Sequence, residues 1–378
     1  GADLLAFGLL AVPAATRAHL ATLLVGGRDG SASYRLDLAA DTLRLWATGP
    51  LLGSGLGAYA DALPPLKRAH GDVRSTHAES DALELLAEGG LLGLLALGLL
   101  AVAAARGAHA HLQATRDPLR KGLVLGAAGG LAALAAHSLV DFDLRLPANA
   151  LLAAALLALA AAPRGDQEGR PAGRGLQAGA AALLALVAAL LAWRAHGAWL
   201  LDRAEMRAGP QLRIAALDPL LARHLYLAEG FRLRGRAWLD LAGPQSAQRS
   251  ARLQRAERDL ARAVAWRPQW GEAWVELGWA RLLRGDGAGA GAAFTRARQL
   301  DPTHAGLALA AAEGWLALGD AAEGVRVLAE LVARQPSWFE EALRRARPFR
   351  LTRAQLAPVA GADPARLERL RQETEPRP

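Results

Sequence analysis

Residues 77–106 read HAESDALELLAEGGLLGLLALGLLAVAAAR. From Gly89 to Ala105 no side chain is charged, and Leu, Ala and Gly fill almost every position. Three further charge-free runs follow, Gly122–Val140, Leu146–Ala162 and Leu176–Trp193. Each has 17 to 19 residues, near the lower end of the ~17–25 that cross a bilayer as a helix. Four such runs in close succession are not the pattern of buried core helices in a soluble protein. Leu4–Val12 reads as the end of one more span. The chain starts at Gly1 inside that apolar run, with no signal-peptide pattern. The expectation is a membrane bundle truncated at its N-terminus.

The composition divides in the same way. Of 378 residues 52% are hydrophobic, but after Trp193 the chain becomes Arg-rich and amphipathic. A membrane half, 1–195, and a soluble half are therefore expected. The formal charge is +8, and Lys67 and Lys121 are the only lysines. Much of the charge sits in short loops between apolar runs, and no nucleic-acid recognition motif accompanies it, so no nucleic-acid partner is expected. There is no cysteine, which excludes disulfides, zinc–thiolate sites and thiol nucleophiles.

Short loops rich in Lys and Arg stay cytoplasmic. Loop 106–121 carries Arg106, Arg116, Arg120 and Lys121, and loop 163–175 carries Arg164, Arg170 and Arg174. The hairpin between them, around Asp141 and Asp143, has only Arg145. That hairpin, the long loop 16–88 and everything after Trp193 are thus expected outside.

The soluble half repeats. Pro268, Pro302 and Pro336 are spaced by 34 residues. Between the first two lie Trp274, Leu277, Gly278, Ala290, Phe294 and Ala297. Small residues let paired helices approach, and large ones fill the groove between units. The next unit keeps Ala312, Trp315 and Leu328. The preceding one keeps Ala256, Leu260 and Ala263, with an insertion near Gly243–Ser250. The pattern resembles tetratricopeptide repeats, implying an α-solenoid over 196–348 that holds a protein partner on its concave face. Residues 349–378 read as a C-terminal tail, weakly helical to about Arg371.

Three segments carry a further resemblance. The first is SASYRLDLAADTLRLWATGPLLGSGLGAYADALPP, the second THAESDALELLAEGGLLGLL, the third HSLVDFDLRLPANALL. In this order they resemble the O-antigen ligase and oligosaccharide polymerase superfamily over about residues 28–160. The resemblance implies an all-α polytopic protein of the bacterial cytoplasmic membrane. It implies transfer of a glycan from a polyprenyl-diphosphate carrier to a glycolipid or protein acceptor, without cofactor or metal. A repeat-unit polymerase or a protein O-oligosaccharyltransferase is the close alternative, and an inactive membrane-anchored repeat scaffold a more distant one.

A diphosphate at the membrane surface calls for guanidinium forks, which bind such oxygens bidentately. Arg35 matches the superfamily motif, and Arg44 and Arg74 are candidates for a second phosphate contact. An imidazole titrates near neutrality and suits proton removal from a hydroxyl. The superfamily places its His directly before an Asn. Here Glu79 and Ser80 hold those positions and His77 lies two residues upstream, so either His77 or Glu79 serves as base. Asp141 ends a span, where a charge is costly unless it faces a polar cavity. The resemblance makes its hairpin frame the active site. GSGLG at 53–57 lacks the spacing of a dinucleotide-binding loop and reads as a tight turn. No metal-ligand motif is present.

Overall fold

A computed structural model describes residues 30–68, 73–161 and 174–374. Among the described residues all regular structure is helical, in sixteen α-helices with short 3₁₀ turns between them. The stretch Leu4–Val12 and most of loop 163–175 lie outside the described residues. The chain divides into two compact units, the first containing 30–68 and 74–161, the second 174–374 with Val73.

In the first unit α1 is Gly30–Ala47, α2 Tyr59–Ala62, α3 Asp81–Ala114, α4 Pro118–His137 and α5 Pro147–Ala161. Two of these, α3 and α4, are long and apolar enough to cross a membrane. Only 17% of the most apolar window of α3 and 11% of that of α4 are buried. Leu92, Leu95 and Leu99 stand exposed, an apolar surface of the kind that marks a membrane or protein contact. The third expected span falls on α5, described over 15 residues, or about 22 Å at 1.5 Å per residue. Pro118 and Pro147 begin α4 and α5, where a missing N–H costs nothing.

Helix α3 is two helices joined at a break. Gly90 has φ +63° and ψ −163°, and the chain continues helically on either side. The PLLGSG turn at 50–55 fills the break. Leu91 N–H donates to the Pro50 carbonyl at 2.9 Å and Leu92 N–H to that of Leu51 at 3.1 Å. In return Ser54 N–H reaches the Ala87 carbonyl and Gly55 N–H that of Glu88, both at 2.9 Å. The backbones approach so closely that a Cβ on Gly90 would lie 2.3 Å from the Leu51 carbonyl oxygen, and one on Gly53 2.4 Å from Glu88 backbone. Two motifs that read as separate in sequence are one joint.

The second unit opens with α6, Arg174–Glu205, which carries the fourth expected span and runs on past Trp193. The expected boundary at 195 falls inside this helix, and α6 belongs wholly to the second unit. There follow α7 Pro210–Arg223, α8 Ala228–Leu241, α9 Arg249–Trp266, α10 Gly271–Arg284, α11 Gly287–Leu300, α12 Ala305–Ala317 and α13 Ala321–Arg334. Helices α8 to α13 pack as sequential hairpins, each also touching the next. Gly271 and Ala305 start first helices 34 residues apart, and Gly287 and Ala321 start second helices 34 apart. The turn repeats too. Gly285 is left-handed and Asp286 caps α11 through Gly289 N–H at 2.8 Å. Likewise Gly319 has φ +86° and Asp320 caps α13 through Glu323 N–H at 3.0 Å. Phe294 is fully buried between Gly278 and Gly314, where a Cβ would come within 2.5 and 2.3 Å of its ring.

Beyond Pro336 come α14 Phe339–Ala346, α15 Arg353–Ala360 and α16 Pro364–Thr374. These are more than a tail. Leu356, Val359 and Leu370 are buried in one cluster with Leu328, Leu331 and Leu343, so they close the apolar end of the stack as a capping element does.

Candidate active site

The start of α3 organises the site. Ser80 is its N-cap, with extended backbone and its hydroxyl accepting from Leu83 N–H at 3.3 Å. Glu84 and Glu88 follow four residues apart, on one face of the helix. Both are 1% exposed. Two buried carboxylates need partners, and Arg145 supplies one to both. Its Nη2 lies 2.9 Å from Glu84 Oε1 and 2.7 Å from Glu88 Oε2. Tyr59 N–H donates to Glu88 Oε1 at 2.9 Å and Ala78 N–H to Glu84 Oε2 at 3.0 Å.

His77 completes the cluster. Its Nδ1 lies 3.2 Å from Glu84 Oε1. In the tautomer with the proton on Nδ1, the ring donates a hydrogen bond to that carboxylate and its Nε2 carries the lone pair. The ring stacks on Phe142 at 4.9 Å between centroids, nearly parallel, and the side chain remains 35% exposed. The imidazole is thus held on one face and one edge while its other edge is open.

The hairpin after α4 is tied to the start of α3 along its length. Asp81 N–H donates to the Asp141 carbonyl at 3.1 Å, and Leu144 N–H to Asp81 Oδ2 at 2.9 Å. Ser80 Oγ–H donates to the Ser138 carbonyl at 3.3 Å. Asp141 Oδ1 accepts from Phe142 N–H at 2.8 Å. Asp141 therefore shapes the turn that presents Phe142 and Arg145. His137, Asp141 and Asp143 offer ligand atoms within 4.8 Å of one another, a set of one imidazole and two carboxylates able to hold a divalent cation. His137 Nδ1 and Asp143 Oδ2 are also in direct contact with each other.

The three arginines separate. Arg35 Nη2 stands 4.0 Å from Glu79 Oε2, and its side chain is 49% exposed. Arg44 is ion-paired with buried Asp41, which also accepts Arg68 N–H at 3.0 Å. Arg74 pairs with Asp61 at 3.1 Å. Of the three, Arg35 is brought beside a residue of the 77–79 segment. Glu79 is itself left-handed, with φ +55°, a conformation costing about 1–2 kcal/mol outside glycine. Tyr59, 1% exposed, shares a 2.7 Å hydrogen bond with Thr42. Burial pushes its phenol well above the usual range, against the opposing effect of that bond, so it stays protonated and structural.

Glu84, Glu88 and Arg145 were not singled out by the sequence motifs. The signal was present: two glutamates four residues apart on an otherwise apolar helix, and one arginine in the hairpin. Buried charges imply a partner, but not which one.

The O-antigen ligase family model matches residues 4–98, about a quarter of the chain. The match takes in α1, α2, both sides of the glycine joint, Arg35, His77, Glu79, Glu84 and Glu88, and stops before the hairpin with Arg145. No curated protein matches the chain. No solved structure matches it either.

Proposed function

We propose that the first unit is a membrane glycosyltransferase of the O-antigen ligase type, with His77 as its general base. The observation that carries this reading is the Glu84–His77 hydrogen bond inside the segment that matches the ligase family. The acceptor hydroxyl gives its proton to His77 Nε2, and its oxygen attacks the anomeric carbon of the carrier-bound glycan. The bond from that carbon to the diphosphate breaks, and the polyprenyl diphosphate leaves with the electron pair. Arg35, exposed and only loosely paired, binds the diphosphate, with Arg44 and Arg74 supporting it from their own ion pairs. Glu84 holds the productive tautomer of His77, and Glu79 sets the reach of Arg35.

The exposed apolar faces of α3 and α4 are covered by lipid in this reading, and α5 and α6 are read as further spans. Basic loop 106–121 lies inside and the site faces out, in the bacterial cytoplasmic membrane. Hairpins α8 to α13 are read as tetratricopeptide repeats on the outer side of the membrane, holding an acceptor or a partner protein. Their support is the repeated Gly–Asp turn and the glycines around Phe294.

The test is glycan transfer from a polyprenyl-diphosphate donor in membranes containing the full chain. His77→Gln is expected to lower the rate by about 10²–10⁴-fold, the usual worth of a general base, and Glu79→Gln by only a few-fold. Arg35→Lys should lose most activity, since a point charge does not replace a fork. A near-normal His77→Gln rate overturns the assignment, and abolition by Glu79→Gln alone moves the base to Glu79. Product length separates a ligase from a repeat-unit polymerase.

A further inference from the structure

The second unit contains a cleft the proposed transfer does not use. It lies between α6 and α7, has a volume of about 390 Å³, and is lined by Trp193, His196, Arg203, Arg207, Arg223 and His224 among others. Its apolar floor comes from Leu200, Ala216 and Leu220, and no aspartate or glutamate lines it.

Five arginines occur between residues 194 and 223, and among the described residues none is ion-paired with a carboxylate. Acids are close by in sequence: Asp202, Glu205 and Asp218. Asp218 instead pairs with Arg234 at 2.9 Å, which also forks onto Asp259 at 2.8 Å. Elsewhere in the unit interhelical arginines meet acids, as Arg232 meets Glu276 and Arg345 meets Glu313. Arg203, Arg207 and Arg223 thus line a cleft that no acid lines.

The wall is built, not incidental. His224 is 2% exposed, and its ring packs on Trp193 at 4.4 Å between centroids. Its Nδ1 is 3.0 Å from the Tyr226 hydroxyl. Gly197 on α6 leaves it room, since a Cβ there would lie 3.0 Å from that nitrogen. Burial, with His196 and Arg223 nearby, pushes the imidazole below its usual range.

The cleft begins where the apolar run of α6 ends. Leu186, Leu190 and Leu191 stand exposed just before it, and Trp193 and Trp199 at its level. Arg203 lies over the Trp199 ring at 4.5 Å. Exposed leucines giving way to tryptophan and then arginine are the sequence of chemistries met on leaving a bilayer. Guanidinium groups at that depth bind phosphate oxygens through charge-assisted hydrogen bonds. We propose that the cleft between α6 and α7 binds a phosphate group, presented by an anionic lipid headgroup, with Arg203, Arg207 and Arg223 as its ligands and the Leu200–Leu220 floor against the glycerol. The site would tie the second unit to the membrane surface independently of glycan transfer.

The test uses the full chain in detergent, titrated with phosphatidylglycerol or phosphatidylcholine and read by native mass spectrometry. Near a membrane surface each arginine is worth about 1 kcal/mol. The triple variant Arg203→Gln/Arg207→Gln/Arg223→Gln should therefore bind phosphatidylglycerol about two orders of magnitude more weakly, with phosphatidylcholine binding unchanged. The triple lysine variant should fall between. A control variant, Arg326→Gln/Arg345→Gln/Arg369→Gln, keeps the full affinity. Displacement of the lipid by inorganic phosphate at comparable concentration supports the phosphate site and assigns the free anion as its source. Equal phosphatidylglycerol binding by the wild type and the triple glutamine variant, or equal loss in the control, overturns the proposal.

Discussion

Replacing Gly90 by alanine tests whether the break in α3 and the PLLGSG turn are one joint. The new Cβ would lie 2.3 Å from the Leu51 carbonyl oxygen, 2.4 Å from its carbon and 2.7 Å from Leu52 N. All three are backbone atoms, so no rotamer change relieves the contact. At φ +63° and ψ −163° alanine also pays about 1–2 kcal/mol for a conformation essentially confined to glycine. If the turn retreats, the hydrogen bonds from Leu91 and Leu92 N–H to Pro50 and Leu51 are lost, at about 1 kcal/mol each. The sum is about 3–4 kcal/mol, which would open the joint roughly 10²–10³ times more often. Hydrogen exchange read by mass spectrometry on peptides covering 50–56 and 87–94 should accelerate by that factor. Gly53→Ala, with φ +69° and its Cβ 2.4 Å from Glu88 backbone, should do the same from the other side. Gly98, in the same helix with nothing within 4 Å of its Cβ, is the control. Alanine there should be neutral or stabilise by up to ~1 kcal/mol. Unchanged exchange over 50–56 in Gly90→Ala would falsify the joint.

Arg145→Met leaves Glu84 and Glu88 buried without their shared cation and should cost about 3–5 kcal/mol, read as a lowered thermal midpoint in detergent; adding Glu88→Gln should recover part of it, and an additive double variant would refute the coupling. Gly314→Ala forces a methyl onto the fully buried Phe294 ring and should destabilise the second unit by about 1–3 kcal/mol, measured by melting of its helical ellipticity, whereas Gly243→Ala, with open space at its Cβ, should be silent. His224 is held below its usual range by burial and by His196 and Arg223, so the unfolded chain binds its proton more readily than the folded one. Its contribution is present above about pH 6.5 and is lost as pH falls through the folded value. Melting midpoints should drop on that acid limb and flatten in His224→Phe, and identical limbs in the two proteins would count against the buried neutral imidazole.

What the sequence shows plainly is whatever repeats or persists along the chain. The charge-free runs locate α3 to α6 because helix propensity and hydropathy are local properties. The 34-residue spacing locates α10 to α13 because each unit repeats its own Gly–Asp turn. The same logic fails where a contact spans the chain. Arg44 has its acid three residues away at Asp41, a local partner on one helix face, yet Arg74 meets Asp61 and Arg145 meets Glu84 and Glu88, pairs that no spacing rule links. Gly89–Gly90 reads as an interruption tolerated within one span until the 50–55 backbone is seen occupying it. That joint also explains where the site sits. Glu88 is the last side chain before the break. Its carbonyl is bound by Gly55 N–H and its carboxylate by Tyr59 N–H, so the glycine turn fixes both ends of the residue. Arg145 is then held between Glu88 and Glu84, and Glu84 in turn holds His77. The glycines of the turn, which resemble a phosphate loop in sequence, act on the site through this chain of contacts: they set where a buried carboxylate lies, and through it the orientation of an imidazole some dozen residues upstream of the break.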